Sequence, residues 1–83
     1  YSNPDVVLYP NPFSTSATFE VIGHRSSAIG EFKMYDVVGR EVMRLPLTDN
    51  RLLITRGDLV SGIYFYKLQS DDETIATGKM VIQ

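Results

Sequence analysis

Apolar residues in this chain recur at every second position in short runs, and that period limits the fold more than any other feature. Ala17, Phe19 and Val21 alternate with Thr18 and Glu20, and Phe32 and Met34 alternate with Glu31 and Lys33. Side chains point to opposite faces along a strand, so this is the pattern of half-buried sheet. No window places apolar residues at the i, i+3, i+4, i+7 spacing of an amphipathic helix between credible caps. The chain therefore reads as all-β.

About seven strands are expected, over residues 6–9, 17–22, 29–36, 40–45, 51–55, 63–69 and 74–83. Pro10 and Pro12 end the first, because each removes a ladder donor and biases its predecessor toward extended backbone. Residues 23–27 read as a polar loop, and Pro46 with Thr48, Asp49 and Asn50 breaks the pattern after the fourth strand. Arg56-Gly57-Asp58 reads as a turn, and the run 63–69 is apolar on both faces. Asp36-Val37-Val38-Gly39-Arg40 is expected to form a hairpin loop on a type I turn with Gly39 in the left-handed region. Ser70-Asp71-Asp72-Glu73 is expected to join the last two strands. Short strands and tight hairpins imply mostly antiparallel pairing, and the expected fold is an immunoglobulin-like sandwich. The chain has no cysteine and no tryptophan. Its core must be aliphatic and aromatic, with Leu8, Phe19, Val21, Phe32, Met34, Val42, Leu53, Tyr64, Tyr66, Leu68 and Ile82 as candidates.

Eighty-three residues suffice for one domain, spanning 1–83 with residues 1–5 as the end of a linker. The formal net charge is -2 and acids and bases are interspersed, so there is no basic stripe for nucleic acid and no electrostatic case for a membrane surface. The absence of cysteine excludes disulfides and thiolate metal sites. The first stretch is polar and contains Pro4, unlike a signal peptide, so any export is expected to begin with something upstream in a longer chain.

Catalytic chemistry finds little support. The only histidine, His24, lies between Gly23 and Arg25 and reads as a solvated loop residue. No serine has a nucleophile-elbow setting. Asp71-Asp72-Glu73 places three carboxylates in a row and lacks the alternate spacing of a calcium loop, so it reads as a solvated hairpin tip. Arg56-Gly57-Asp58 spells an adhesion tripeptide, a match short enough to arise by chance. The five tyrosines and four phenylalanines fall mostly at alternating strand positions and read as core more readily than as a sugar-binding platform. No enzyme activity, metal or cofactor is expected.

Four stretches rise above a generic sandwich when taken in order. They are Tyr9-Pro10-Asn11-Pro12-Phe13, Met34-Tyr35-Asp36-Val37-Val38-Gly39-Arg40-Glu41-Val42, Leu59-Val60-Ser61-Gly62-Ile63-Tyr64-Phe65-Tyr66-Lys67-Leu68, and Gly78-Lys79-Met80-Val81-Ile82. In that order the chain resembles the type A C-terminal sorting domain of the type IX secretion system, the Por system of Bacteroidota and relatives. The resemblance covers nearly the whole chain. It implies an immunoglobulin-like domain, fused to an N-terminal cargo, that crosses the periplasm and is recognised by the outer-membrane translocon. It further implies removal by a sortase-like peptidase, with the cargo left on the cell surface or released to the medium. The segment before Val6 is the natural place for such a cut. The motif positions carried over are Pro10, Asn11 and Pro12, then Gly39, then Gly62 and Tyr64, then Lys79 with Met80, Val81 and Ile82. The chain departs from many relatives in having fewer basic residues in its last strand.

A purely structural reading accompanies each position. Pro10 and Pro12 make a rigid joint that also blunts a sheet edge. Gly39 meets a turn requirement, and Gly62 and Tyr64 start and pack a strand. If the last strand lies at an edge, its free N–H and C=O groups could pair with a strand of the translocon, with Lys79 as contact or as aggregation gatekeeper. Two rival functions are a carbohydrate-binding module, which predicts several exposed aromatics on one face with Tyr9, Tyr35 and Phe65 as the residues to check, and a passive spacer. The two-sided hydrophobicity of residues 63–68 leaves room for a homodimer.

Overall fold

The computed structural model describes residues 5–22, 30–49, 51–70 and 73–83. The expected polar loop with His24, the strand start at Ile29, Asn50 and the Asp71-Asp72 tip lie outside the described residues, as do residues 1–4 of the expected linker. Seven strands appear among the described residues: β1 (Asp5–Tyr9), β2 (Ser16–Ile22), β3 (Gly30–Tyr35), β4 (Glu41–Leu47), β5 (Arg51–Thr55), β6 (Gly62–Ser70) and β7 (Glu73–Ile82). They form a three-stranded sheet in the order β1-β2-β5 and a four-stranded sheet in the order β4-β3-β6-β7. Every strand pair within the sheets is antiparallel. The fold is an all-β sandwich consistent with an immunoglobulin-like arrangement.

The core lies between the sheets and follows the period of two. Ala17, Phe19 and Val21 on β2 face Phe32 and Met34 on β3, Leu68 on β6, and Met80 and Ile82 on β7, all fully buried. Phe19, Phe32 and Tyr66 form a ring cluster, with Phe19 edge-on to Tyr66 at 5.2 Å and Phe32 stacked on Tyr66 at 5.8 Å between centroids. Tyr66 faces Gly78 across the β6–β7 pair. A Cβ at Gly78 would run into the Tyr66 ring, so the glycine clears the floor on which that ring lies. Leu8 and Val42 pack partly buried against this core, as expected.

Leu53 does not. It is 63% exposed, and its neighbour Ile54 is fully buried instead. The parity is set by pairing, since Ala17 stands opposite Ile54 and Phe19 opposite Leu52, which turns Leu53 to solvent beside Thr18. A shift of one residue exchanges the two faces, and three successive apolar residues, Leu52, Leu53 and Ile54, leave that choice open in the sequence. Pro46 also behaves otherwise than expected. It lies within β4, paired with Glu31, and the strand continues to a buried Leu47. β4 is an edge strand with no neighbour beyond it, the position where a residue without N–H is tolerated. The register slips between Met34 and Tyr35, leaving Val42 as the extra residue of a bulge on the same edge.

Replacing Ile54 by Ala is expected to cost about 2–5 kcal/mol in urea unfolding, whereas Leu53→Ala should change stability by no more than about 0.5 kcal/mol. Equal losses at the two positions would show the parity of β5 to be wrong.

Candidate functional site: a clamped sheet edge

The chain between β1 and β2 does not simply turn back. Pro10 and Pro12 have no N–H to offer a ladder, and between them Asn11 presents a side-chain amide with the donor and acceptor of a peptide group. Asn11 Oδ1 accepts from the Val81 N–H at 3.0 Å, and its Nδ2 donates to the Lys79 C=O at 3.3 Å. Phe13 continues the contact with its backbone. Its N–H donates to the Val81 C=O at 3.0 Å and its C=O accepts from the Gln83 N–H at 2.8 Å, a parallel bridge that brackets Ile82. The Phe13 ring meanwhile enters the core and is fully buried. Burial of such a ring contributes about 1.5–3 kcal/mol, which holds the segment against β7 more firmly than the exposed hydrogen bonds alone.

This arrangement corrects one sequence-based expectation. β7 is an edge strand, but its backbone groups from the Lys79 C=O to the Gln83 N–H are already taken by Asn11 and Phe13. They are not free to pair with another chain while the clamp is closed.

Arg56 closes the same end. Its Nε donates to the Leu59 C=O at 2.9 Å, one terminal nitrogen donates to the carbonyls of Ser14 and Gln83, and the other donates to Ser61 Oγ. Its own N–H donates to the Thr15 C=O. One guanidinium thus ties the β1–β2 connection, the β5–β6 turn and Gln83 together, using the fork of donors that arginine alone offers. In the Arg56-Gly57-Asp58 turn the arginine is bound to its own chain.

Gly62 begins β6 opposite Ile82 with φ +154°. Tyr64 is buried, and its hydroxyl donates to the Val60 C=O at 2.6 Å. That is the arrangement of a tyrosine corner, in which a core ring fastens the loop leading into its own strand. Met80, opposite Tyr64, and Ile82 are core residues, while the Lys79 side chain is exposed. The structure therefore brings Pro10, Asn11, Pro12, Gly62, Tyr64, Lys79, Met80, Val81 and Ile82 into one neighbourhood. Gly39 stands apart, at the tip of the β3–β4 hairpin, where φ is +90° and no atom lies within 4 Å of the place a Cβ would take. Its demand is conformational.

That hairpin is organised by Asp36. Its Oδ1 accepts from the N–H groups of Val38 and Arg40, and its Oδ2 pairs with Arg40 Nε at 3.1 Å. The Arg40 N–H holds the carboxyl below its ordinary 3.8, partial desolvation opposes this, and the Val38 N–H and the Arg40 guanidinium reinforce it. Sequence reasoning gives neither Arg56, which reads there as a turn residue, nor Phe13, which closes the first motif stretch, a place in the site. Spacing carries no signal for an arginine that bonds distant carbonyls, but a phenylalanine directly after two prolines and outside any alternating run could have been read as an anchor.

The three aromatics to check for sugar binding do not share one face. Tyr35 and Phe65 are neighbours on the outer face of the four-stranded sheet, whereas Tyr9 belongs to the other sheet and bonds Glu20.

Asn11→Ala is expected to cost about 1 kcal/mol and to speed hydrogen exchange of the Val81 amide selectively. Unchanged exchange at Val81 would contradict the clamp. Because the Asp36 carboxyl is held below 3.8, its contribution is present above that value and is lost as pH falls through the lower folded value. Stability of the native chain should therefore drop more steeply below about pH 4 than that of Asp36→Asn, and parallel acid profiles would refute this.

The sequence model of one protein family, described as secretion system C-terminal sorting domain, matches residues 7–83. No curated protein was found to match the chain. The matched span takes in both partners of the clamp, Arg56, the tyrosine corner and the Asp36 hairpin, and its family is one of sorting signals and not of enzymes. The chain belongs to the C-terminal sorting domains of the type IX secretion system.

Proposed function

We propose that the type IX outer-membrane translocon reads this domain as a folded surface assembled from both ends of the chain, and not as a linear tail. The reading is carried by one observation: Asn11 is hydrogen-bonded to Lys79 and Val81, residues 68 and 70 positions away. The stretches that carry the family resemblance are thus parts of one unit, and disturbing either disturbs both. In this scheme an N-terminal cargo passes through the periplasm with the domain attached. The cargo then leaves through the translocon, and a sortase-like peptidase removes the domain by a cut ahead of β1, leaving the sandwich intact. The domain itself contributes no catalytic group. Its recognition residues are the neighbourhood of Pro10, Asn11, Pro12, Gly62, Tyr64 and Lys79 to Ile82, with Gly39 keeping the separate β3–β4 hairpin in shape.

The test is an export assay in a bacterium with a type IX system. A signal peptide and a fluorescent reporter are placed ahead of residues 1–83, and this fusion is compared with one ending at Gly78. Reporter is expected on the surface or in the medium only with residues 79–83 present. Asn11→Ala should reduce export without reducing periplasmic reporter. Retention of the full-length fusion in the periplasm would overturn the proposal.

A further inference from the structure

The outer face of the four-stranded sheet holds a groove of about 450 Å³ lined by Tyr35, Phe65, Lys67, Thr77 and Lys79 among others. That volume lies in the usual range for ligand sites, roughly 300–1,000 Å³. Its charge is unusual for an acidic chain. Elsewhere the described basic side chains are satisfied: Lys33 by Glu31, Arg40 by Asp36, Arg44 by Glu31 and Glu41, Arg51 by Glu20, and Arg56 by carbonyls. Among the described residues, the side chains of Lys67 and Lys79 are the two basic ones with no hydrogen bond or ion pair, and both line the groove. The paired acids of this face, Glu31 and Glu41, lie on β3 and β4, away from β7.

Two further features select the kind of ligand. Lys67 Nζ sits 5.9 Å from the centroid of the Tyr35 ring, so an ammonium covers the face on which a sugar would stack. Along β7, the clamp fixes which backbone groups face outward: those of Lys79, Val81 and Gln83 turn toward Asn11 and Phe13. By the alternation of an antiparallel ladder, the N–H and C=O of Thr77 face outward as well. The clamp ends at the Lys79 C=O, so among the described residues these Thr77 groups are left open at the rim of the groove. A polypeptide can use such groups through its own main chain.

We propose that this groove docks an extended polypeptide segment carrying carboxylate side chains. Its backbone pairs with the open edge at Thr77, its acids meet Lys67 and Lys79, and an apolar side chain rests on Phe65, a residue that is 44% exposed. The proposal rests on the groove alone and does not depend on the sorting reading.

The experiment titrates the isotope-labelled 83-residue chain with a soluble peptide of alternating glutamate and valine. The same peptide with lysine for glutamate, and polygalacturonate as an anionic polysaccharide, serve as comparisons. Amide shifts are expected at Phe65, Thr77 and Lys79 with the acidic peptide only, and they should weaken with added salt. The double change Lys67→Gln with Lys79→Gln should weaken binding about tenfold. Thr77→Pro removes an outward N–H while sparing the β6–β7 ladder, and should weaken peptide binding with the rest of the amide spectrum preserved. Binding of polygalacturonate in place of the peptide, or concentration-dependent shifts of the same amides without ligand, would assign the face to a glycan or to a second copy and overturn the proposal. So would the absence of shifts at millimolar peptide.

Discussion

The last strand of this domain lies at a sheet edge, and an open edge is where small β proteins associate with the wrong partner. Here the edge is closed from within. A side-chain amide held between two prolines imitates a strand residue, and the next residue completes the bridge while burying its ring. The prolines are what make this a clamp and not an eighth paired strand, since a segment with two missing N–H groups cannot extend its own ladder. The rest follows from that contact. Gln83 is fixed by Phe13, so its carbonyl is in place for Arg56, and Arg56 in turn holds the turn whose loop the Tyr64 hydroxyl fastens.

A domain of this length buries about 60–65% of its unfolded surface and has little stability to spare, and it has no disulfide to constrain its ends. The clamp does part of that work by noncovalent means. Contacts between residues 70 positions apart close a loop nearly as long as the chain, so they form only when the sandwich has assembled. The order parameter of the site is then the fold itself. A chain that has not finished folding presents no clamp, which gives a recogniser a way to distinguish a folded domain from an unfolded one.

How much of this was legible depended on whether a feature is local. The period of two gave the strands and the hairpin chemistry gave the Asp36 to Arg40 turn, with Gly39 at positive φ. Parity failed where three apolar residues run together at Leu52, Leu53 and Ile54, because only the pairing with β2 decides which faces in. Pro46 reads as a break in the alternating pattern, and nothing local in the sequence says that β4 is an edge, where a proline is tolerated. Arg56 looked like a turn residue with a chance adhesion tripeptide. Its partners Ser14, Ser61 and Gln83 are brought to it by the topology alone.

The same distinction separates structure from recognition within the stretches that carry the resemblance. Met80, Ile82, Tyr64 and Phe13 are core, so their identity follows from packing whatever reads the domain. Asn11 is bound to Lys79 and Val81 through their backbones, which any residue there would supply. The Lys79 side chain, by contrast, has no such structural duty. It is exposed, makes no hydrogen bond or ion pair, and stands beside the one stretch of β7 that the clamp leaves open. Its placement in a groove with Lys67, apart from the paired acids Glu31 and Glu41 on β3 and β4, argues that it is there to be met by something acidic.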